Sequence, residues 1–342
     1  MGGVIDDLVN NFAGPALAAD GAGRLLMANM EAQGLFPLLR EGRPLAGAIR
    51  NNAFLAALDD VLGGKPAAQA AFTLKKPKRR LLALLSGLKG REGARIFIHF
   101  RDRSEEENLA RMRMSFISSA SHELRTPLAS ILGFIETLRG PAKNDEAARA
   151  EFLAIMETQA LRMKRLVDDM LNLSRIEANR HLPPEGEADL AEIVRRVAAL
   201  LTPVAKEKEV DLQVRIEVED GRIRGDAGQV EQIVLNLAEN AMTYGREGGR
   251  VRISLRRVRD GQGRARLALS VRDWGPGIEK KHIPRLTERF YRVDKLVSRN
   301  AGGTGLGLAI VKHLAGRHGG WLEIESQPGK GACFTVSFPA PA

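Results

Sequence analysis

At 342 residues, with 44% hydrophobic and 27% charged residues, the chain has apolar mass for two or three domain cores and is not the composition of a disordered polymer. Its one cysteine, Cys333, excludes an intramolecular disulfide and, lying in the strand-like run GACFTVSF, is expected as a buried core thiol. The net charge of +10 would suit nucleic acid, but the basic residues are scattered, without an aromatic-studded strip or a DNA-reading motif, so no nucleic-acid partner is expected.

No apolar run approaches the roughly 20 residues of a membrane span, and the N-terminus has neither a signal-peptide core nor a myristoylation pattern, since Asp6 stands where Ser or Thr is required. The expectation is a cytoplasmic protein without a membrane span in this chain. Attachment to a membrane through partners or a missing upstream segment stays open.

Residues 14–36, GPALAADGAGRLLMANMEAQGLF, read as strand, DGAG turn, strand and short helix. Further strands are expected in AAFTL, RLLALLSGL and ARIFIHF, the last two joined by the turn-like KGREG; His99 reads as a strand histidine. This order resembles a PAS-type sensor domain, which sets an α/β sensor at 1–102.

A charged run, RDRSEEENLARMRM, leads without glycine or proline into SFISSASHELRTPLASILGFIETL, so one continuous helical rod is expected. In that helix Ile117, Ala120, Leu124, Leu128, Ile131, Ile135 and Leu138 form an apolar stripe, and His122 and Glu123 fall off it. Pro127 removes an amide donor from the helix interior at a cost of about 3 kcal/mol, which calls for a compensating role. After the turn RGPAKND, Phe152, Met156, Gln159, Met163, Leu166, Met170 and Leu173 repeat at fours and threes as a coiled-coil-like seam. Two such helices make an antiparallel hairpin, and pairing two copies into a four-helix bundle would bury both seams. A structural dimerisation bundle with an incidental surface histidine is the alternative.

RHLPPEGEADL reads as a linker. Beyond it, helices through Ile193 and Val197 and through QVEQIVLNLAENAMTYG, with strands VDLQVRIEV, RVRISLRRV, RLALSVRD and WLEIESQ, suggest an α+β sandwich of helices on antiparallel strands. Within it Asn236 and Asn240 lie one helical turn apart, each offering an amide oxygen to a hard cation. Asp273 ends a strand, and Gly275, Pro276 and Gly277 make a tight turn that a ligand could approach closely. In NAGGTGLGLAIVKHL, glycines open into a helix, which is an anion site by virtue of free amides and the helix dipole. The spacing is neither a P-loop nor a dinucleotide fingerprint.

These stretches, with RLTERFYRVD between the two glycine elements, resemble the two-component sensor histidine kinases, which join a HisKA dimerisation domain to a GHKL-type ATP-binding domain. The resemblance spans roughly 105–338, and GFIETLRGPA with RMKRLVDDMLNLSRIE is most similar to the phosphate-regulon sensor kinases. It implies a multidomain chain with a helical dimerisation and phosphotransfer domain at 103–182 and a catalytic domain at 187–340. It implies autophosphorylation of a histidine from ATP with Mg2+, transfer to an aspartate of a response regulator receiver domain, and a homodimer. By motif, His122 resembles the phosphoacceptor, Glu123 a carboxylate holding the proton of the other ring nitrogen, and Thr126 a residue positioning water for regulator dephosphorylation. Asn240 resembles the magnesium ligand, Asn236 lies near the phosphates, Asp273 resembles the adenine-reading carboxylate, and Tyr244 packs beside the adenine. Gly275 and Gly277 shape the same pocket, and Gly303, Thr304, Gly305, Leu306 and Gly307 form the lid hinge. One position departs: the family's Lys or Arg before the tyrosine is Thr243 here, and Arg292 is the expected substitute. A simple ATPase of the same superfamily is the competing enzyme reading, but it would place a water-activating glutamate where Asn236 stands.

Overall fold

The computed structural model describes residues 4–75, 78–88, 94–179, 182–293 and 303–341. The chain separates into two compact units, Met1–Ser115 and Phe116–Ala342.

In the first unit, α1 (Val4–Asn10) is followed by β1 (Ala16–Asp20), β2 (Leu25–Ala28), α2 (Met30–Leu35), α3 (Leu45–Ala48), α4 (Asn52–Leu62), β3 (Ala67–Lys75), β4 (Lys78–Gly87) and β5 (Ala94–Asp102). The strands make one antiparallel sheet in the order β2-β1-β5-β4-β3. Helix α4, which the strand-centred reading did not anticipate, starts where the Asn51 side chain accepts the amides of Ala53 and Phe54 at 3.0 and 3.2 Å. It buries Phe54 among Phe72 and Phe100. The opposite sheet face is covered by Val9 and Phe12, and His99 lies there as a strand histidine, its ring centroid 4.9 Å from that of Phe12. The expected KGREG turn, 89–93, lies outside the described residues.

Helix α5 (Ser104–Arg139) runs unbroken through Pro127, in agreement with the expected rod. Asp145 caps α6 (Glu146–Ala178) by accepting the amide of Ala148 at 2.9 Å, and Phe134 meets Phe152 across the hairpin at 4.9 Å between centroids. The seam on α6 divides. At its start Phe152 meets Phe134 of α5, but Leu166 and Leu173, joined by Ile176, are buried in the core of the C-terminal domain, with Met170 packed against it. Apolar periodicity marks a buried stripe without naming what covers it, and here the cover changes along the helix.

That domain comprises β6 (Glu187–Asp189), α7 (Leu190–Glu207), β7 (Asp211–Glu217), β8 (Arg222–Arg224), α8 (Ala227–Tyr244), β9 (Arg250–Arg259), β10 (Ala265–Asp273), α9 (Gly307–Arg317), β11 (Trp321–Ser326) and β12 (Ala332–Pro339). The end of the expected linker is therefore a strand, with β6 paired to β8, while Arg180 and His181 lie outside the described residues. The main sheet has the order β11-β12-β10-β9-β7. It is not wholly antiparallel as expected: β7 runs parallel to β9, a pairing made possible by the long connection through α8. Val251, Ile253, Val271, Phe334 and Val336 point from the sheet onto the helices. Cys333 alternates away from that core to the outer face and is only half-buried, which corrects the core-thiol expectation.

Candidate functional site

Helix α8 begins at Asp226, whose side chain accepts the amide of Gln229 at 3.1 Å. Its apolar side, including Val230, Ile233, Val234, Leu237 and Ala241, is buried, so Asn236 and Asn240 emerge one turn apart on a different face. The Asn236 amide nitrogen is buried without a hydrogen-bond partner among the described residues. A buried donor left unpaired costs about 1–3 kcal/mol, so this position suits a ligand that accepts. Beside it stands Gly307, where an added Cβ would lie 3.4 Å from Asn236 Oδ1. Tyr244 ends the helix 39% exposed, next to the half-buried Thr243.

Asp273 is 5% exposed at the end of β10, and its Oδ1 accepts the amides of Gly275 and Ala332 at 2.9 and 3.2 Å. Burial raises its carboxyl above the usual range, and the two backbone bonds work against that rise. Gly275 is required because a Cβ would lie 2.8 Å from Tyr244 O. Gly277 has φ +72°, and its Cβ would meet Gln327 O at 2.0 Å. The strand end, the turn and the end of α8 thus close around one another with no room for side chains.

Helix α9 starts at Gly307 with no side-chain cap, and Leu306 before it is fully buried. Its first amides are therefore free of a side-chain acceptor, as an anion site requires. Gly305, at φ +73°, accepts the Phe290 amide at 2.8 Å, and Phe290 itself is held at φ 62°, a left-handed conformation uncommon for an aromatic residue. Arg292, 7% exposed in its side chain, donates to the Gly303 carbonyl. Of the glycine stretch, Asn300, Ala301 and Gly302 lie outside the described residues.

On α5, His122 is exposed, and Thr126 one turn later donates its hydroxyl to the His122 carbonyl at 3.3 Å. Adjacent helical residues do not face each other, and Glu123 turns instead to two guanidiniums: Arg292 at 3.3 Å and Arg162 at 3.6 Å. Glu123 is thus engaged by arginines, not placed on the His122 ring. Further along, Thr304 donates its hydroxyl to Asp169 Oδ2 at 2.7 Å, and Glu177 receives both Arg289 and, at 3.3 Å, His313. Burial raises the Asp169 carboxyl, partly offset by the Thr304 bond. Asp169, Leu173 and Glu177 are spaced at fours, so one face of α6 seats the glycine stretch and the segments on both sides of it. None of these α6 contacts was expected; the paired Asp168 and Asp169, standing off the apolar seam, were the one local sign of them.

Comparison with known proteins assigns two segments of the chain to known families. Residues 112–179 match the His Kinase A (phospho-acceptor) domain and residues 225–342 match the histidine kinase-, DNA gyrase B- and HSP90-like ATPase family. The phosphate regulon sensor protein PhoR of Pseudomonas aeruginosa is 41% identical over 246 residues, covering 71% of this chain and 53% of that protein. SenX3 of Mycolicibacterium smegmatis is 35% identical over 243 residues (71% and 61%), and WalK of Bacillus subtilis 34% over 240 (70% and 38%). The chain thus spans about half the length of the PhoR protein it matches. Among solved structures, the histidine kinase ThkA in complex with the response regulator protein TrrA shares the fold at a TM-score of 0.54, with 21% identity and 98% of both chains covered. Among the described residues no helix is long and apolar enough to cross a membrane. With both family matches in their expected order and relatives of this identity, the chain belongs to the sensor histidine kinases.

Proposed function

We propose that the chain is an ATP-dependent autokinase whose His122 receives the γ-phosphoryl group and passes it to an aspartate of a response regulator. The observation that carries this reading is the unpartnered buried amide of Asn236 against the glycine start of α9, beside the Asp273 turn. An acceptor-rich, anionic ligand with a donor-bearing base satisfies all three elements at once. Asp273 would read the adenine amino group, Tyr244 would pack on the base, and Gly303, Gly305 and Gly307 would admit the phosphates. Mg2+ would be held through Asn240 and would supply charge neutralisation at the phosphates.

In the reaction, a neutral ring nitrogen of His122 attacks the γ-phosphorus, an N–P bond forms, and the bond to the bridging oxygen breaks with its electrons leaving on ADP. Glu123 would take the proton from the other ring nitrogen once released by the arginines. Transfer to a regulator carboxylate then restores neutral His122. Thr126 would orient water for the reverse, dephosphorylating activity. Asn236 in place of a water-activating glutamate disfavours the simple ATPase reading.

The domains would be a PAS-like sensor at 1–102, the phosphotransfer hairpin at 103–182 and the catalytic domain at 187–340; the β2-β1-β5-β4-β3 order supports the first. Exposed Leu128, Leu132, Leu153, Leu161 and Leu171 along α5 and α6 support a dimer through these helices. The phosphate regulon role that PhoR is named for suggests a phosphate-responsive pathway, and ThkA's complex with a response regulator suggests a receiver-domain partner. The test is labelling with radioactive ATP and magnesium followed by a panel of receiver domains. Rapid transfer to one supports the reading; no label, or label that reaches none, contradicts it.

A further inference from the structure

Helices α8 and α9 carry the two halves of the candidate nucleotide site and pass each other in opposite senses. At one end Gly307 abuts Asn236. At the other, His318, one residue beyond α9, reaches the start of α8. Its Nε2 accepts the backbone N–H of Asp226 at 3.2 Å, and its Nδ1–H donates to the Leu314 carbonyl at 2.8 Å. Both bonds together require a neutral ring with its proton on Nδ1. The ring is 5% exposed and stands edge-on to Phe338. Gly225 makes the space for it, since a Cβ there would lie 2.5 Å from His318 Cδ2.

We propose that His318 is a positioning residue of the nucleotide site: it fixes the register of α8 against α9, and with it the alignment of Asn236 and Asn240 with the glycine start of α9. The role rests on reading this domain as ATP-binding. Ten residues of α8 separate Asp226 from Asn236, about 15 Å at 1.5 Å per residue, so the ring acts without touching nucleotide. The core shared by the two helices holds them together, and the His318 bond fixes their register at the end away from Gly307; misplacement by about 1 Å is enough to cost up to 100-fold in a site of this kind.

Protonation is the natural way to undo the fastening. The charged groups facing the ring are Asp226 at the start of α8 and Arg317 on α9. Glu187 of β6, with Asp220, Arg222 and Arg224 in and before β8, lines the cavity beside it. Burial, the largest influence, holds the imidazole below its ordinary pKa of 6.5, with Arg317 acting the same way and Asp226 and the backbone bonds opposing. The unfolded chain therefore takes up the proton first as pH falls below 6.5, and the ring's contribution is lost in that direction. A protonated Nε2 cannot accept, and the Asp226 amide loses its partner.

The experiment measures affinity of the full chain for a non-hydrolysable ATP analogue by calorimetry from pH 5.5 to 8, for wild type, His318→Phe and His318→Gln. Amide exchange over 226–230 is followed in the nucleotide-free proteins. His318→Phe keeps ring volume against Phe338 but neither hydrogen bond. It is expected to lose at least tenfold in affinity at pH 7.5 while still folded, with exchange over 226–230 at least tenfold faster. His318→Gln, which can accept from one side and donate on the other, is expected within threefold of wild type at pH 7.5. The wild-type to glutamine affinity ratio cancels the nucleotide's own titration and is expected to fall only once the pH drops below the folded ring's own pKa, which burial holds under 6.5. A folded His318→Phe with wild-type affinity and exchange overturns the proposal. If His318→Phe does not fold, the same affinity and exchange measurements on His318→Leu decide. Wild type that binds no nucleotide overturns the functional reading and this role with it, whereas intact binding with unchanged exchange overturns this role only.

Discussion

The guanidinium of Arg292 lies 3.3 Å from the carboxylate of Glu123, which joins a candidate phosphate-binding residue of the nucleotide domain to the residue next to the candidate phosphoacceptor. The pair is largely shielded, with 7% and 27% of the two side chains exposed, and Arg162 shares the carboxylate at 3.6 Å. This contact occupies the Arg292 guanidinium and turns the Glu123 carboxylate away from the His122 ring, the two candidate roles proposed for them. Glu123→Gln is therefore expected to act in opposite directions on two readouts. Nucleotide affinity should rise by roughly tenfold, about 1.4 kcal/mol, as Arg292 is released, while the rate of His122 labelling falls. Parallel loss of both would contradict this division of roles.

Asp169 and Thr304 form the companion contact, between α6 and the start of the glycine stretch. Removing the acceptor in Asp169→Ala frees Thr304 from α6. Faster amide exchange over 303–307 and tighter nucleotide binding are expected, with a gain bounded by the 1.5–3 kcal/mol or so typical of hydrogen bonds to charged groups. Unchanged exchange in this segment would show that the α6 contact does not restrain it.

The charge lost at Thr243 predicts a third result. Thr243→Lys is expected to tighten ATP binding if the phosphates lack a cation on that side, and Arg292→Ala to weaken it by about 1.5–3 kcal/mol, the range of a charge-assisted bond. Calorimetry at fixed magnesium and salt measures both. Invariance in both would mean that the triphosphate does not run between these segments.

Leu173 is 1% exposed in the core shared by α6 and the nucleotide domain. Leu173→Ala is expected to destabilise the C-terminal unit by about 2–5 kcal/mol in denaturant unfolding, whereas Leu153→Ala, at an exposed position, should leave a monomer's stability nearly unchanged and weaken self-association instead.

The candidate site was legible as short windows of residue types spaced for one element each. Asn236 and Asn240 share a helix turn, Asp273 and Gly277 share a loop, and Gly303 to Gly307 are contiguous, because each element must present fixed atom types within a few residues. The apolar stripes of α5 and α6 were legible as stripes, but Leu173 turned out to face the nucleotide domain, since periodicity gives a face and no partner. Contacts closed by the fold left no periodic trace: Thr304 meets Asp169 across 135 positions and His318 meets Asp226 across 92. Cys333 was misread although the signal was present. Ala332, Phe334, Val336 and Phe338 alternate inward, which sends position 333 outward.

The central claim is that His122 carries the phosphoryl group. Incubation of the full chain with radioactive ATP and magnesium, followed by acid and alkali treatment, measures it directly. A nitrogen-linked phosphoryl group is expected to be lost in acid and retained in alkali, and His122→Gln should abolish the label while binding nucleotide with wild-type affinity. Label that survives acid, or full labelling of His122→Gln, would contradict the account.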